Sequence, residues 1–433
     1  MPVDFTIAMA IAAWFCGRAV AFVDPALTPS QQNSVLTNLQ PAMWVTSVSP
    51  VIEMPAHIQL LDFETDIDGR AFDCWLSHSE LTFLPESYCW AADEVAIVLF
   101  TSGTTGQPKG VCHSLQNLLH SGFLFQQQFD IEATDRLINL APLHTMSGLR
   151  CSIFLPLLIG CNTHLEAIPG QLSTLLQAIR DEQGTVLIVG PVMLEQLALI
   201  AERLPELKRL RKILSTGAEL SRTVRSALWQ KLGIPVLDYY GLTETGGLVI
   251  AEPSASYQPE QPALGLACHG VRAVVVNKSG YEATVGSGEL RIYCPTLFLG
   301  YWGQEQEKPN FFDTSDKVDI SEQGWITFLG RQGRSVKSAA TTWLHPEAVE
   351  DWLAKKNGIT DFAVTTVAGQ QGLVIRCYLV SPEPLFPDAL TSSLIEVLGY
   401  DYQTTQWVQV SEIPRSTLGK IKWAEMADNE NSG

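Results

Sequence analysis

The stretch VLFTSGTTGQPKGVCHS at 98–114 gathers reactive groups into a short span. Thr101, Ser102, Thr104 and Thr105 offer four hydroxyl donors ahead of a single cation, Lys109. Gly103, Gly106 and Gly110 carry no Cβ, so their backbone amides can close on a ligand. Donors of this kind around one lysine suit an anion, and phosphates best. In the GxxxxGK[ST] loop lysine follows the second glycine directly, whereas Lys109 stands three residues after Gly106. Alone, the stretch also fits a flexible surface loop.

Residues 94–100 read as the strand leading into this loop, and HSLQNLLHSGFLF as the helix after it, with Ser114 or His113 near its cap. Residues 5–16 read as a buried helix and 19–24 as a buried strand of a parallel sheet. EVAIVLF, GTVLIVG and KILSTG are further apolar strands, with helical patterns such as LSTLLQAIRD and PVMLEQLALIAERL between them. Such alternation predicts an α/β architecture with mostly parallel sheets flanked by helices. Beyond about residue 265 the pieces become shorter and β-rich, as in RAVVVN, GELRIYC and GWITFLG. GRQGRS at 330–335 reads as a hinge. The expected division is a large domain over 1–330, containing a β-rich subdomain, and a small mobile α+β domain over 331–433.

Composition narrows the function. The 433 residues carry 46 acidic against 28 basic side chains, a net charge of −18, which argues against nucleic acid as a partner. The nine cysteines form no CxxC pair and read as reduced thiols of a cytoplasmic protein. FTIAMAIAAWFC follows Asp4, not a basic residue, and is too short to span a bilayer, so a buried helix is expected over a signal peptide. There is no GxSxG, no HExxH and no His/Cys cluster of metal-ligand spacing.

TSGTTGQPKG, taken whole, resembles the signature loop of the adenylate-forming superfamily: acyl- and aryl-CoA synthetases, nonribosomal-peptide adenylation domains and beetle luciferases. Further segments resemble that family's motifs in order: APLHTMSG (141–148), STGAEL (215–220), YYGLTETGG (239–247), GELRIYCPTLFLGYW (288–302), TSD (314–316), GR (330–331) and PRSTLGKI (414–421). The resemblance spans nearly the full length. It implies ATP-dependent activation of a carboxylate to an adenylate with release of pyrophosphate, then transfer to the thiol of CoA or of carrier-protein phosphopantetheine.

Residue by residue, the resemblance implies that Thr101 to Gly106 and Lys109 hold the β- and γ-phosphates, and that Thr243 meets the α-phosphate. Glu244 would associate with Mg2+, hard oxygen suiting a hard cation. Gly217, Ala218, Tyr240 and Gly241 would line the adenine site, with Tyr240 also open to a plain packing role. Asp316 would bind the ribose hydroxyls, assisted by Arg331. Lys420 would bridge the carboxylate and α-phosphate oxygens. His144, Gly190, Gly217 and Gly246 would bound the acid pocket. No Lys or Arg stands out there as a counter-charge, which favours a neutral aryl or medium-chain acyl group.

Three departures from the family pattern bear on the chemistry. The opening segment resembles one normally found tens of residues into a family chain, so a compact N-terminal region is expected. APLHTMSG has Thr145 where histidine is usual and His144 in the place of an aromatic, leaving His144 open to a pocket or a packing role. The 336–350 loop carries Ala339, Ala340 and Thr341 where the family's thioester loop has glycine, although Lys337 matches a lysine some relatives use in that step. Two further readings therefore stand beside the ligase: adenylation alone or with a non-thiol acceptor, and a non-catalytic nucleotide binder.

Overall fold

The computed structural model describes residues 3–25, 27, 29–46, 55, 57–62, 88–102, 108–165, 172–217, 220–254, 257–260, 264–277, 279–304, 307–331, 336–337, 343–344, 346–369, 372–398, 400–415, 421–423 and 426. Among these, five strands run parallel within a seven-stranded sheet. In spatial order they are Val236–Tyr240, Lys212–Ser215, Val186–Val189, Arg136–Asn139 and Asn162–Leu165. Ile250–Ala251 and Leu266–Ala267 extend the sheet antiparallel beyond Val236–Tyr240. VLIV and KILS are buried at every residue, as continuous apolar runs covered on both faces should be.

Helices cover both faces. Leu172–Asp181, Pro191–Ile200 and Arg222–Leu232 pack on one through Leu175, Ile179, Leu194, Leu197 and Leu228. On the other, Leu115–Phe129 lays Phe125 and Phe129 against Tyr239, with ring centroids 5.8 and 5.5 Å away. Two turns before Phe125 on the same buried face, Leu118 enters a separate core under a four-stranded sheet, while the other face, with Leu119 and Phe123, is exposed. Ser114 caps it, the side chain accepting from Asn117 N, as the sequence anticipates.

A five-stranded antiparallel sheet contains Arg272–Val276, Gly286–Tyr293, Phe312–Ile320 and Ile326–Arg331. The C-terminal part builds a three-stranded sheet from Asp361–Gly369, Gly372–Val380 and Gln406–Gln409, under Pro346–Leu353 and Pro387–Leu398. Mixed α/β architecture, parallel sheets flanked by helices, and a β-rich part all match expectation.

Three expectations need correction. The 98–114 stretch does not pass from strand through loop to helix: Ile97–Ser102 pairs antiparallel with a second strand, Pro108–His113. Val111, Cys112 and His113 are buried, and Gly300–Tyr301 pairs on the other side, so PKGVCH gains more as a central strand than as a loop. Lys109 therefore projects from a strand, opposite Thr101. The N-terminal helix, Val3–Phe15, is not buried throughout: Trp14 and Ala10 are, through Trp14 packing on Phe22 and Phe154, whereas Phe15 is 58% exposed. Likewise Val20–Phe22 is an edge strand that buries only Phe22.

Two buried polar contacts tie the elements. Arg225 and Glu252 pair at 2.7 Å, nearly inaccessible to solvent, and Glu252 also accepts from Asp238 N. His113 is fully buried: Nε2–H donates to Thr243 O at 2.8 Å, while Asn117 donates to Nδ1 and to Leu297 O. This network assigns a neutral imidazole protonated at Nε2. Burial holds its pKa down at about 4 against the ordinary 6.5, with the Thr243 carbonyl opposing.

Arg225→Met leaves a buried carboxylate unpaired and is expected to cost about 3–5 kcal/mol in urea unfolding, most of it recovered in Arg225→Met/Glu252→Gln. For His113 the folded pKa lies below the unfolded one. Its contribution is full above pH 6.5 and fades as pH falls toward 4. Stability measured across that window is expected to fall with a slope approaching one proton, and His113→Gln to flatten it.

Candidate functional site

The five parallel strands end on one edge, where α/β sheets bind ligands. Four candidate segments leave from that edge: 140–148 after Asn139, Gly190 after Val189, 216–217 after Ser215, and 241–247 after Tyr240. Gly190 is the N-cap of Pro191–Ile200. Gly217 has a φ of +97°, which favours glycine, and the neighbouring Thr216 hydroxyl donates to Tyr239 O at 3.0 Å. A Cβ on Gly241 would lie 2.4 Å from Gly247 C, so the 241–247 segment folds back on itself only with glycine there.

Thr243–Thr245 forms a single tight turn whose backbone is gripped from several directions. Thr243 O accepts from His113, Glu244 O from Phe298 N at 2.9 Å, Thr245 O from the Thr296 hydroxyl at 2.7 Å, and Gly246 O from the Ser121 hydroxyl at 2.7 Å. The Glu244 carboxylate accepts from Tyr301 Oη at 3.0 Å. Burial and the Glu244 charge both push the Tyr301 phenol up, so it stays a donor. Lys109 Nζ lies 5.8 Å from the centre of the same ring. Tyr301 thus joins the lysine of the glycine-rich hairpin to the carboxylate of the turn.

Tyr240 and Asp316 meet at 2.5 Å, the phenol donating to Oδ2. Asp316 is buried, its amide donates to Thr314 Oγ1, and it stands opposite Arg331 in the antiparallel ladder. His144, expected to bound the acid pocket, has Nε2 3.6 Å from Asp24 Oδ2. Burial lowers the His144 pKa, against the Asp24 charge. Thr145, the residue in the usual histidine position, caps a short helix: Oγ1 accepts from Gly148 N and donates to Pro142 O. A Cβ on Gly148 would sit 1.9 Å from Pro142 O, and one on Gly247 2.5 Å from Met146 Cγ, so segments 141–148 and 241–247 are in close contact.

The structure thus brings Lys109, Thr243 and Glu244 together, and Tyr240 with Asp316. Gly103, Thr104, Thr105, Gly106, Ala218 and Lys420 lie outside the described residues, as do the Ser102 and Arg331 side chains and Ala339, Ala340 and Thr341. Tyr301 was not singled out from the sequence, and His113 only as a residue near the helix cap. The only local signal was their place inside quoted segments, because their partners Glu244 and Thr243 lie 57 and 130 residues away. Among the described residues no group of three or more His, Cys, Asp or Glu could hold a metal ion. One carboxylate, Glu244, near Lys109 does fit Mg2+ that arrives with nucleotide, since that ion is commonly held by one or two carboxylates plus substrate phosphates. No described helix is long and apolar enough to cross a membrane.

Residues 3–302 match the family model described as AMP-binding enzyme. The chain is 26% identical over 385 residues to the 2-succinylbenzoate–CoA ligase of Enterococcus faecalis, covering 87% of this chain and 76% of that one. It is 23% identical to the benzoate–CoA ligase of Thauera aromatica, covering 76% and 65%. Its fold is shared with ATP-bound MatB from Rhodopseudomonas palustris at a TM-score of 0.83 and 22% identity, covering 98% of this chain and 86% of that one. The Bacillus subtilis o-succinylbenzoate CoA synthetase holding its acyl-adenylate gives 0.83 and 21%, covering 97% and 85%. The chain belongs to the AMP-binding enzyme family, the ATP-dependent ligases that activate carboxylates as adenylates.

Proposed function

We propose that this enzyme activates an organic acid with Mg-ATP and passes the acyl group to CoA, through the residues assembled around the Thr243–Gly247 turn. The observation carrying this reading is the meeting of Lys109, Tyr301 and Glu244 beside the Tyr240–Asp316 pair. A nucleotide needs these groups: a cation and hydroxyls for phosphates, a carboxylate for the metal, and a buried carboxylate acceptor for ribose. In the first step a carboxylate oxygen attacks the α-phosphorus and the bond to pyrophosphate breaks. Negative charge grows on the phosphates, which Lys109, the hairpin hydroxyls, Thr243 and Lys420 would stabilise. Mg2+ bound at Glu244 would neutralise part of the same charge. In the second step the thiolate attacks the acyl carbon and AMP leaves.

Tyr240 serves this reading in two ways, its ring as an adenine face and its hydroxyl as the group that orients Asp316. The domain boundary near residue 331 belongs to the same proposal, since it lets the 414–421 segment take part in one half-reaction and withdraw for the other. CoA is favoured as acceptor by the relatives' activities. A carrier-borne phosphopantetheine would present the same thiol. The eight described cysteines are all free, which suits a cytoplasmic enzyme.

With Mg-ATP and a panel of carboxylic acids, pyrophosphate exchange is expected for at least one acid, and its absence across the panel overturns the reading. Lys420→Ala is expected to lower that exchange about 100-fold or more while calorimetry shows nucleotide affinity largely intact. Adding CoA, or a phosphopantetheinylated carrier, to the active acid should yield a thioester visible by mass; adenylate without thioester would instead favour a non-thiol acceptor.

A further inference from the structure

Two arginines count among the buried residues, and the fold treats them oppositely. Arg225 has its carboxylate, Glu252, at 2.7 Å. Arg150, wholly buried at the start of the turn Arg150–Phe154, has none: among the described residues no carboxylate lies within ion-pair distance of it. Its Nη2 donates to Tyr239 Oη at 3.1 Å and Ser147 Oγ at 3.4 Å, and its Nη1 to Gly246 O at 3.3 Å and Ser121 Oγ at 3.4 Å. The guanidinium carbon lies 4.5 Å from the Phe125 ring centre and 5.3 Å from that of Tyr239. Nε has no partner. Burial pushes the Tyr239 phenol up to about 12, so this neighbour is neutral too.

Neutral acceptors and ring faces satisfy the geometry of a guanidinium but leave its charge uncompensated. A buried charge without a counter-ion is a cost that the fold removes elsewhere, as at Arg225, and retains here. The location gives it a use. Arg150 touches the carbonyl of Gly246, and a Cβ on Gly247 would lie 3.2 Å from Nη1. Ser147, which it also contacts, follows His144 in the 141–148 segment. The guanidinium therefore lies directly behind the Gly246–Gly247 backbone and Ser147, on the wall assigned above to the acid pocket.

Resting on the ligase reading, we propose that Arg150 is the counter-charge for a second anionic group at the far end of the substrate, and that the substrate class is a dicarboxylic acid. One carboxylate faces the α-phosphate and reacts. The other displaces the Ser147 hydroxyl from Nη2, where the existing hydrogen bond is long, and completes the ion pair that the protein leaves open. A Cβ on Gly246 would lie 2.6 Å from Thr296 Cβ and one on Gly247 2.5 Å from Met146 Cγ, so glycine at both positions lets this backbone close against Arg150 and its neighbours. The sequence reading of a neutral acid placed the pocket between residues 144 and 250 and weighed its bounding residues, His144, Gly190, Gly217 and Gly246; Arg150 became a candidate only through its contacts with Gly246 and Tyr239.

The test pairs mono- and dicarboxylic acids of equal length, aliphatic and aryl, and measures binding by calorimetry without ATP and kcat/KM by pyrophosphate exchange. Wild-type protein is expected to prefer a diacid over its matched monoacid by about tenfold or more. Arg150→Met should erase that preference through Kd and KM, and Arg150→Lys should retain part of it. Equal treatment of all pairs by the wild type, or a preference unchanged in Arg150→Met, overturns the proposal. If Arg150→Met fails to fold, the wild-type comparison decides. Absence of exchange with every acid counts against the ligase reading, while the ATP-free binding ratios still judge Arg150.

Discussion

The site depends on one constraint: the backbone of the Thr243–Gly247 turn has to be fixed without help from its own strand. A turn of this kind, with φ near +78° at Gly246 and Gly247, has no ladder to satisfy its carbonyls. The fold supplies donors from four other places. His113 comes from the strand Pro108–His113, Ser121 from the helix Leu115–Phe129, Arg150 from the turn Arg150–Phe154, and Thr296 and Phe298 from the segment before Gly300–Tyr301. Each hydrogen bond contributes about 1 kcal/mol net. Together they select one conformation of the turn, and that conformation aims Thr243 and Glu244 at the space beside Lys109.

The same convergence accounts for how an acidic protein can hold an anionic ligand. Net charge is −18, yet the groups around the turn are arranged so that cations face it and carboxylates are engaged by phenols. Tyr301 holds Glu244 and Tyr240 holds Asp316, each by a hydroxyl that donates to the carboxylate. Charge is therefore prepared locally against the overall field.

Much of this was legible beforehand because the fold's local codes agree with its global arrangement. Apolar four-residue runs such as VLIV and KILS read as strands and are covered on both faces, and of the two cap candidates, Ser114 and His113, Ser114 caps the helix. What misled was local content weighed without partners. PKGVCH reads as a polar glycine-containing connection until Ile97–Ser102 and Gly300–Tyr301 flank it, and FTIAMAIAAWFC reads as buried until only its Trp14 side finds a neighbour. Thr145 in the expected histidine position was visible as a departure, but its service as a helix cap to Gly148 depends on the close approach of Pro142.

The sequence by itself determined the parts: the hydroxyls and lysine of 101–109, the carboxylates Glu244 and Asp316, Lys420, and the order in which they occur, because each sits in a short segment whose chemistry is written locally. Tertiary structure alone decided the pairings. Tyr301 reaches Glu244 across 57 residues, Tyr240 reaches Asp316 across 76, and Arg150 reaches Gly246 across 96. No periodicity or spacing encodes a contact at such separations; it exists only once the sheets and the helices between them have packed.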